Sequence, residues 1–305
     1  MRFYINLLTV EKYVIKKWVV NLINIENILV EMEQYAKEKR ICIIRPDTRS
    51  FLKDLCVKLN PKTILEVGTA IGYSASTMLL SCDANITCCE ASAPNIVLAK
   101  QNFERLHLTD RVNIIEGDCL KTLPIINEII YSDKVQTLEN NIKNQQNNIN
   151  AKNGITGSLL SNENSDKDKL SGSLLSNGDF NQNIAITLPK AKVMSQTFDE
   201  QIKSYEKLIE LKGQKFDLIF LDGPKGLYPE ILKLLLPLLS KRGIFVADNV
   251  LFRGMVSGKN RITEPRFEKT VKALQQFIYE LKKDSRLDFE LLEIGDGLAV
   301  ASWKK

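Results

Sequence analysis

Residues 63–74 read Thr63-Ile64-Leu65-Glu66-Val67-Gly68-Thr69-Ala70-Ile71-Gly72-Tyr73-Ser74. The first five make a short apolar run ending in glycine, which is the pattern of a buried strand. Gly68 and Gly72 let the backbone turn sharply, and the chain from Tyr73 to about Leu80 reads as a helix. A strand passing through such a turn into a helix opens a doubly wound sheet, whose ligands bind beyond the carboxyl ends of its strands. The unit repeats downstream. Ile86–Glu90 is a strand, Pro94–Leu106 a helix and Val112–Ile115 a third strand. After a long interruption come a strand at Phe216–Leu221, a helix over 227–239 and a strand at Gly243–Ala247. A loop from Val250 to Pro265 leads into a helix over 266–283. Two strand-like runs, Phe289–Ile294 and Leu298–Trp303, flank a Gly295-Asp296-Gly297 turn that suits a hairpin. Upstream, 21–40 and Pro46–Leu59 read as helices, the second with Asp47 as its cap. Strands and helices in this alternation predict one α/β domain with a mostly parallel sheet closed by an antiparallel pair.

The interruption, 128–200, is rich in Asn, Gln, Ser and Lys and carries the hexapeptide Gly-Ser-Leu-Leu-Ser-Asn at 157–162 and again at 172–177. Such a composition buries too little apolar surface to offset its ordering entropy, so it reads as a disordered insertion. Residues 1–127 and 201–305 then form a single domain, with 1–45 as its N-terminal helical part. Across 305 residues, 44% hydrophobic and 26% charged, the composition is that of a globular chain and excludes collagen-like or membrane-embedded classes. No uninterrupted apolar run approaches the ~20 residues that span a bilayer, and no cleavage site follows Met1–Ile25. A cytoplasmic protein with no membrane partner is expected. The six cysteines include no C-x-x-C pair and read as reduced core thiols. One histidine, His107, falls at a helix end, which argues against a histidine-based triad.

Chemistry-bearing residues cluster at strand ends. Glu90 closes the second strand, 22 residues after Gly68, where a carboxylate can take hydrogen bonds from both hydroxyls of a ribose. The spacing G-x-x-x-G and the acidic Glu66 disfavour a pyrophosphate and favour a ligand bearing an ammonium and a sulfonium, so S-adenosylmethionine (SAM) fits better than NAD. Gly117-Asp118-Cys119 ends the third strand, where Asp118 either meets an adenine amino group or caps the next helix. Asp222 ends the fourth strand and Asp248-Asn249 the fifth. If those strands are neighbours, two carboxylates and an amide converge and suit a hard divalent ion such as Mg²⁺. Lys225, three residues past Asp222, is a candidate base beside such a cation, or a surface lysine. Arg253, Arg261 and Arg266 follow the fifth strand and could meet RNA phosphates or form a solvated face. Tyr73 or Tyr228 could stack on a base.

The segments ILEVGTAIGYSAS (64–76), GDCL (117–120), FDLIFLDGPKGLYPEILKLLLPLL (216–239), ADNVLFRGMV (247–256) and IGDGLAVA (294–301) together resemble the cation-dependent, SAM-using O-methyltransferases, which include catechol and caffeoyl-CoA methyltransferases. Within them the wording around Asp248 to Val256 is similar to the bacterial tRNA 5-hydroxyuridine methyltransferases. The resemblance spans about 41–127 and 209–305. It implies a Rossmann-like class I methyltransferase fold with a seven-stranded sheet. It implies a cofactor site drawn from Glu66, Gly68, Thr69, Gly72, Tyr73, Ser74, Glu90, Gly117, Asp118, Cys119 and Asp222. It places a metal on Asp222, Asp248 and Asn249, with Lys225 and Asp222 at the chemistry. It further implies a homodimer and, as acceptor, wobble uridine 34 in a tRNA anticodon loop, a small catechol-like diol being the alternative. The chain departs from the family's pattern at Gly223-Pro224 and in its long insertion.

Overall fold

The computed structural model describes residues 24–131 and 203–305, apart from 205, 208, 211 and 263. Residues 1–23 of the expected N-terminal helical part and nearly all of the 128–200 tract therefore lie outside the described residues. Contacts divide the chain into one unit of Met1–Ile130 with Val193–Lys305 and a second of Tyr131–Lys192.

The first unit is built from α1 (24–39), α2 (Pro46–Leu59), β1 (Thr63–Val67), α3 (Tyr73–Leu79), β2 (Asn85–Glu90), α4 (Ala93–Arg105), β3 (Val112–Glu116) and α5 (Cys119–Tyr131). Then come β4 (Phe216–Leu221), α6 (Tyr228–Leu235), β5 (Leu239–Ala247), α7 (Arg266–Lys283), β6 (Leu287–Leu292) and β7 (Leu298–Trp303). The strands form a seven-stranded sheet in the order β3-β2-β1-β4-β5-β7-β6. The first five run parallel and the last two add antiparallel. Order reverses between β1 and β4, which makes their carboxyl ends the topological switch point where such sheets bind ligands.

Burial explains the layering. Strands β1 and β4 are covered on both faces, so Ile64, Leu65, Leu218, Ile219, Phe220 and Leu221 are all fully buried and read as unbroken apolar runs. Helix α7 meets the sheet through Val271, Leu274, Phe277 and Leu281, a single stripe at helical spacing, while its other faces stay charged. Tyr228 of α6 packs edge-on against Phe277, with ring centroids 5.2 Å apart.

Several sequence expectations shift locally. Helix α2 starts with Arg45 as the flanking residue and Pro46 in its first turn; Asp47 sits inside that turn and makes no cap hydrogen bond. Proline at the first helical position needs no donor, so it sets the start by itself. Strand β5 begins at Leu239, four residues earlier than expected, because an irregularity in its pairing with β4 lets the chain join the sheet before Gly243. Helix α6 stops at Leu235 and a single 3₁₀ turn, Leu236–Leu238, carries the chain into β5. Helix α5 continues to Tyr131, past the 128 at which the sequence composition changes. The chain is stitched to that helix again by the Gly213 N–H, which donates to the Ile130 carbonyl at 3.2 Å. Cys56, Cys88, Cys89 and Cys119 are buried free thiols, whereas Cys42 is exposed in the α1–α2 loop. Among the described residues no helix is long and apolar enough to cross a membrane.

Candidate active site

The β4–β5 register pairs Leu221 with Ala247, so the next residue of each strand, Asp222 and Asp248, emerges at the same level. Main-chain bonds lock the three strand tips: Asp222 N–H donates to Val67 O at 2.8 Å, and Asp248 N–H to Leu221 O at 3.0 Å. Gly68 lies hard against this join. A Cβ there would stand 2.4 Å from the Asp222 carbonyl oxygen, and the residue has φ +93°, so only glycine lets β1 and β4 end this close together.

Beyond the tips opens a cleft of about 820 Å³. Of the residues singled out in the sequence, it is lined by Gly68, Tyr73, Glu90, Asp222, Lys225, Asn249 and Arg253. Glu90 is fixed by two main-chain donors, Ala70 N–H on one carboxylate oxygen and Ser92 N–H on the other, each at 2.8 Å. Each oxygen keeps a further lone pair for a ligand hydroxyl.

Glu66 has a different part. It is fully buried and does not line the cleft. Its carboxylate accepts from Thr69 Oγ1 at 2.7 Å and Ser74 Oγ at 2.6 Å, so it braces the glycine turn from beneath. Burial pushes its pKa up to about 7 against those hydrogen bonds, with Asp222's charge adding to the rise. Attraction of a cationic ligand by direct contact with Glu66 is thereby replaced by support of the turn, through Thr69 and Ser74.

Asp248 is also fully buried. Its Oδ1 accepts from Asn249 N–H at 2.6 Å and, at 3.5 Å, from Thr48 Oγ1. Its Oδ2 is buried and has no hydrogen-bond partner. Burial first, and the charge of Asp222 second, raise its pKa to about 7. Burial likewise raises Asp222, opposed by Lys225, whose ammonium is paired with Asp222 Oδ1. Burial tends to lower Lys225, but Tyr228 and Asp222 outweigh it, so Lys225 is held protonated on Asp222. Asp222 and Asn249 line the cleft, while Asp248 lies fully buried and outside its lining, with one carboxylate oxygen unpartnered; in chemistry, two carboxylates and an amide suit a hard divalent cation. Among the described residues no group of three or more His, Cys, Asp or Glu side chains is placed to hold a metal ion, here or elsewhere, so any cation here would depend on the amide of Asn249 beside the two carboxylates.

The remaining expected residues fall apart from the cleft. Asp118 is exposed and accepts from Leu120 N–H at 2.9 Å, the capping alternative. Gly72 and Gly117 have φ of 83° and 140°, and Cys119 is buried as the first residue of α5; none of the three lines the cleft. Tyr228 is fully buried, with its hydroxyl on the Leu221 and Asp248 carbonyls, so its ring is closed to stacking on an acceptor. Arg261 is exposed in the loop before α7. Arg266 opens that helix, pairs with Glu264 at 2.7 Å and lies over the Phe267 ring.

The cleft also recruits residues that sequence reading passed over: Glu33, Lys37, the α1–α2 loop Ile41–Pro46, Asn95, Phe252 and Asp296. Most come from loops and helix faces far away in the chain. Only Asp296, between two glycines, carried a local sign.

The O-methyltransferase family model matches residues 23–137 and 180–304. Among curated relatives, Tapetum-specific methyltransferase 1 of Arabidopsis thaliana is 29% identical over 101 residues, 33% of this chain and 43% of the relative. Caffeoyl-CoA O-methyltransferase of Populus kitakamiensis is 33% identical over 98 residues, 31% of this chain and 41% of the relative. The chain thus matches less than half the length of these relatives. Of solved structures, the SAH-bound Podospora anserina methyltransferase PaMTH1 superposes with a TM-score of 0.56 at 23% identity, over 91% of this chain and 88% of that one. The O-methyltransferase from Bacillus cereus in complex with SAH does so at 0.55 and 19%, over 91% of each. Those likenesses are of fold, and the fold is the Rossmann-like class I methyltransferase sheet. With the family model matching well over half of the sequence, the chain belongs to the O-methyltransferase family.

Proposed function

We propose that this protein is a SAM-dependent, divalent-cation-dependent O-methyltransferase whose acceptor is 5-hydroxyuridine at wobble position 34 of a tRNA, giving 5-methoxyuridine. The observation that supports the enzymatic part is that Asp222 and Asp248 leave adjacent strands at the same level, with Asp248 Oδ2 unpartnered and with Asp222 and Asn249 in the same cleft lining as Gly68 and Glu90. SAM, when bound, supplies a methyl group on a sulfonium. A divalent cation, when held by Asp222, Asp248 and Asn249, supplies positive charge that makes an acceptor hydroxyl easier to ionise.

This chain's own residues do the rest. Glu90 orients the ribose through its remaining lone pairs. Gly68 lets the wall that would hold the cofactor close against the Asp222 tip, where a methyl group could be presented to an acceptor oxygen. Lys225 is the candidate base: it would first release its own ammonium proton to solvent, which loss of the Asp222 pairing to a cation would favour, and as the neutral amine it would then take the acceptor's proton. The acceptor oxygen then forms a bond to the methyl carbon as the carbon–sulfur bond breaks. Opposite charges are consumed in that step, which a water-poor site favours.

The acceptor rests on Arg253 at the cleft wall and on Arg261, Arg266 and Lys259 in the same region, a basic stretch suited to phosphates. Two of these cations already have partners, Lys259 on Glu293 and Arg266 on Glu264. That observation, with the caffeoyl-CoA names among the relatives, favours a second reading: a small catechol-like diol. Incubation with labelled SAM, Mg²⁺ and tRNA containing 5-hydroxyuridine, against a catechol control, separates them. Label in the tRNA, lost steeply as salt rises, supports the first reading. Label in the catechol alone removes it, and label in neither acceptor removes both.

A further inference from the structure

The loop after Asp248 is held in an improbable shape. Asn249, Phe252 and Arg253 all have positive φ, at 58°, 43° and 58°, and none is glycine. Left-handed backbone at three non-glycine residues persists only where surrounding structure imposes it. The β6–β7 turn supplies the imposition. Val250 N–H donates to Gly297 O at 3.0 Å, Leu251 N–H to Asp296 O at 2.9 Å and Arg253 N–H to Asp296 Oδ1 at 2.6 Å. Gly297 completes the fit: a Cβ there would stand 2.4 Å from Leu251 Cγ. Of these contacts the one made by a side chain is that of Asp296, and it falls on the residue that turns Phe252 and Arg253 toward the cleft.

We propose that Asp296 is a positioning residue for the acceptor. Its carboxylate oxygen anchors the Arg253 amide and so holds Phe252 and Arg253 at the cleft wall in acceptor-ready geometry. The inference rests on the reading that this loop, and not the Gly68–Glu90 wall, faces the acceptor. Asp296 acts through the hydrogen bond, not through charge, because one oxygen at the right place satisfies the donor.

The test compares wild type, Asp296→Ala and Asp296→Asn by steady-state kinetics and by limited trypsin digestion, with cleavage after Arg253 followed by mass spectrometry. In Asp296→Ala the acceptor KM rises about tenfold while the SAM KM stays at the wild-type value, as loss of orientation on one side of the site requires. Cleavage after Arg253 speeds up about tenfold as the loop is freed. Asp296→Asn restores both, since its amide oxygen still accepts from Arg253 N–H. Equal tryptic rates in wild type and Asp296→Ala overturn the proposal, as does an Asn variant as impaired as Ala, or a SAM KM that rises with the acceptor's. If wild type methylates neither acceptor, the functional reading fails, and the tryptic comparison still decides whether Asp296 holds the loop.

Discussion

The Tyr228 hydroxyl lies 3.0 Å from the main-chain carbonyl of Asp248 and 3.2 Å from that of Leu221. One buried proton is shared between the ends of β4 and β5, at the level where the two acidic side chains emerge. Tyr228→Phe keeps the ring against Phe277 and removes the hydroxyl that bridges the strand ends and faces Lys225. It is expected to lower stability by about 1 kcal/mol and methyl transfer several-fold. A urea titration with wild-type midpoint and slope would show that the bridge carries no weight.

Glu66 and Asp248 give the protein a particular pH dependence. Both pKa values are raised to about 7 in the fold, from ordinary values of 4.5 and 3.8. Raised carboxyls contribute stability that is complete below the ordinary carboxylate range and is lost as pH climbs through the folded value. Stability of the ligand-free protein should therefore fall between about pH 4.5 and about pH 7, by roughly 2–4 kcal/mol for Glu66. Glu66→Gln flattens its share of that slope while keeping an acceptor for Thr69 or Ser74. A stability curve of the Gln variant parallel to wild type would refute the assignment.

Asp248→Asn removes a buried charge that repels Asp222 and leaves Oδ1 available to Asn249 N–H. The expected outcome is a gain in stability on the order of 1–2 kcal/mol above neutral pH. Methyl transfer should fall by at least about a hundredfold, with chelation of wild type causing a similar loss. Thermal melts supply a readout independent of turnover: Mg²⁺ raises the wild-type midpoint and leaves the variant's unmoved. A variant midpoint that shifts with Mg²⁺ as wild type's does would remove Asp248 from the ligand set.

Gly68→Ala tests the join between the cofactor wall and Asp222. The added methyl meets a carbonyl oxygen at 2.4 Å on a backbone with φ +93°. A loss of roughly 3 kcal/mol or more is expected, since neither clash partner is a flexible side-chain end. Calorimetric titration with SAM should show binding weakened in step. Native affinity in a folded Ala variant would mean that β1 and β4 can part without harm.

The sheet was legible because its central strands are covered on both faces. Phe216–Leu221 and Thr63–Val67 read as unbroken apolar runs and occur as such. The placing of Asp222 and Asp248 at adjacent strand tips was legible for a related reason: acidic residues directly after such runs lie at strand ends, and neighbouring parallel strands place their ends together. The rest of the site depended on distance relations that a linear reading lacks. Nothing local marks Ile41–Pro46 or Phe252 as cleft lining. Tyr228 looked available for stacking, yet helix α7, far downstream, supplies the Phe277 that encloses it. Glu66 sits beside a binding turn in sequence, but strand alternation aims its carboxylate inward, beneath the turn and away from the cleft.

The bond between Gly213 and Ile130 has a bearing on the chain's length as well as its shape. Departure and return are clasped together there, and the return is fastened earlier as well, where Asn113 of β3 donates to the Ser204 carbonyl at 2.9 Å and Lys207 donates to that of Val112 at 3.4 Å. Lengthening a detour so fastened costs only logarithmically. A change of length between these fastenings would therefore leave the points at which the chain departs and rejoins, and the strand pairings beyond them, where they stand.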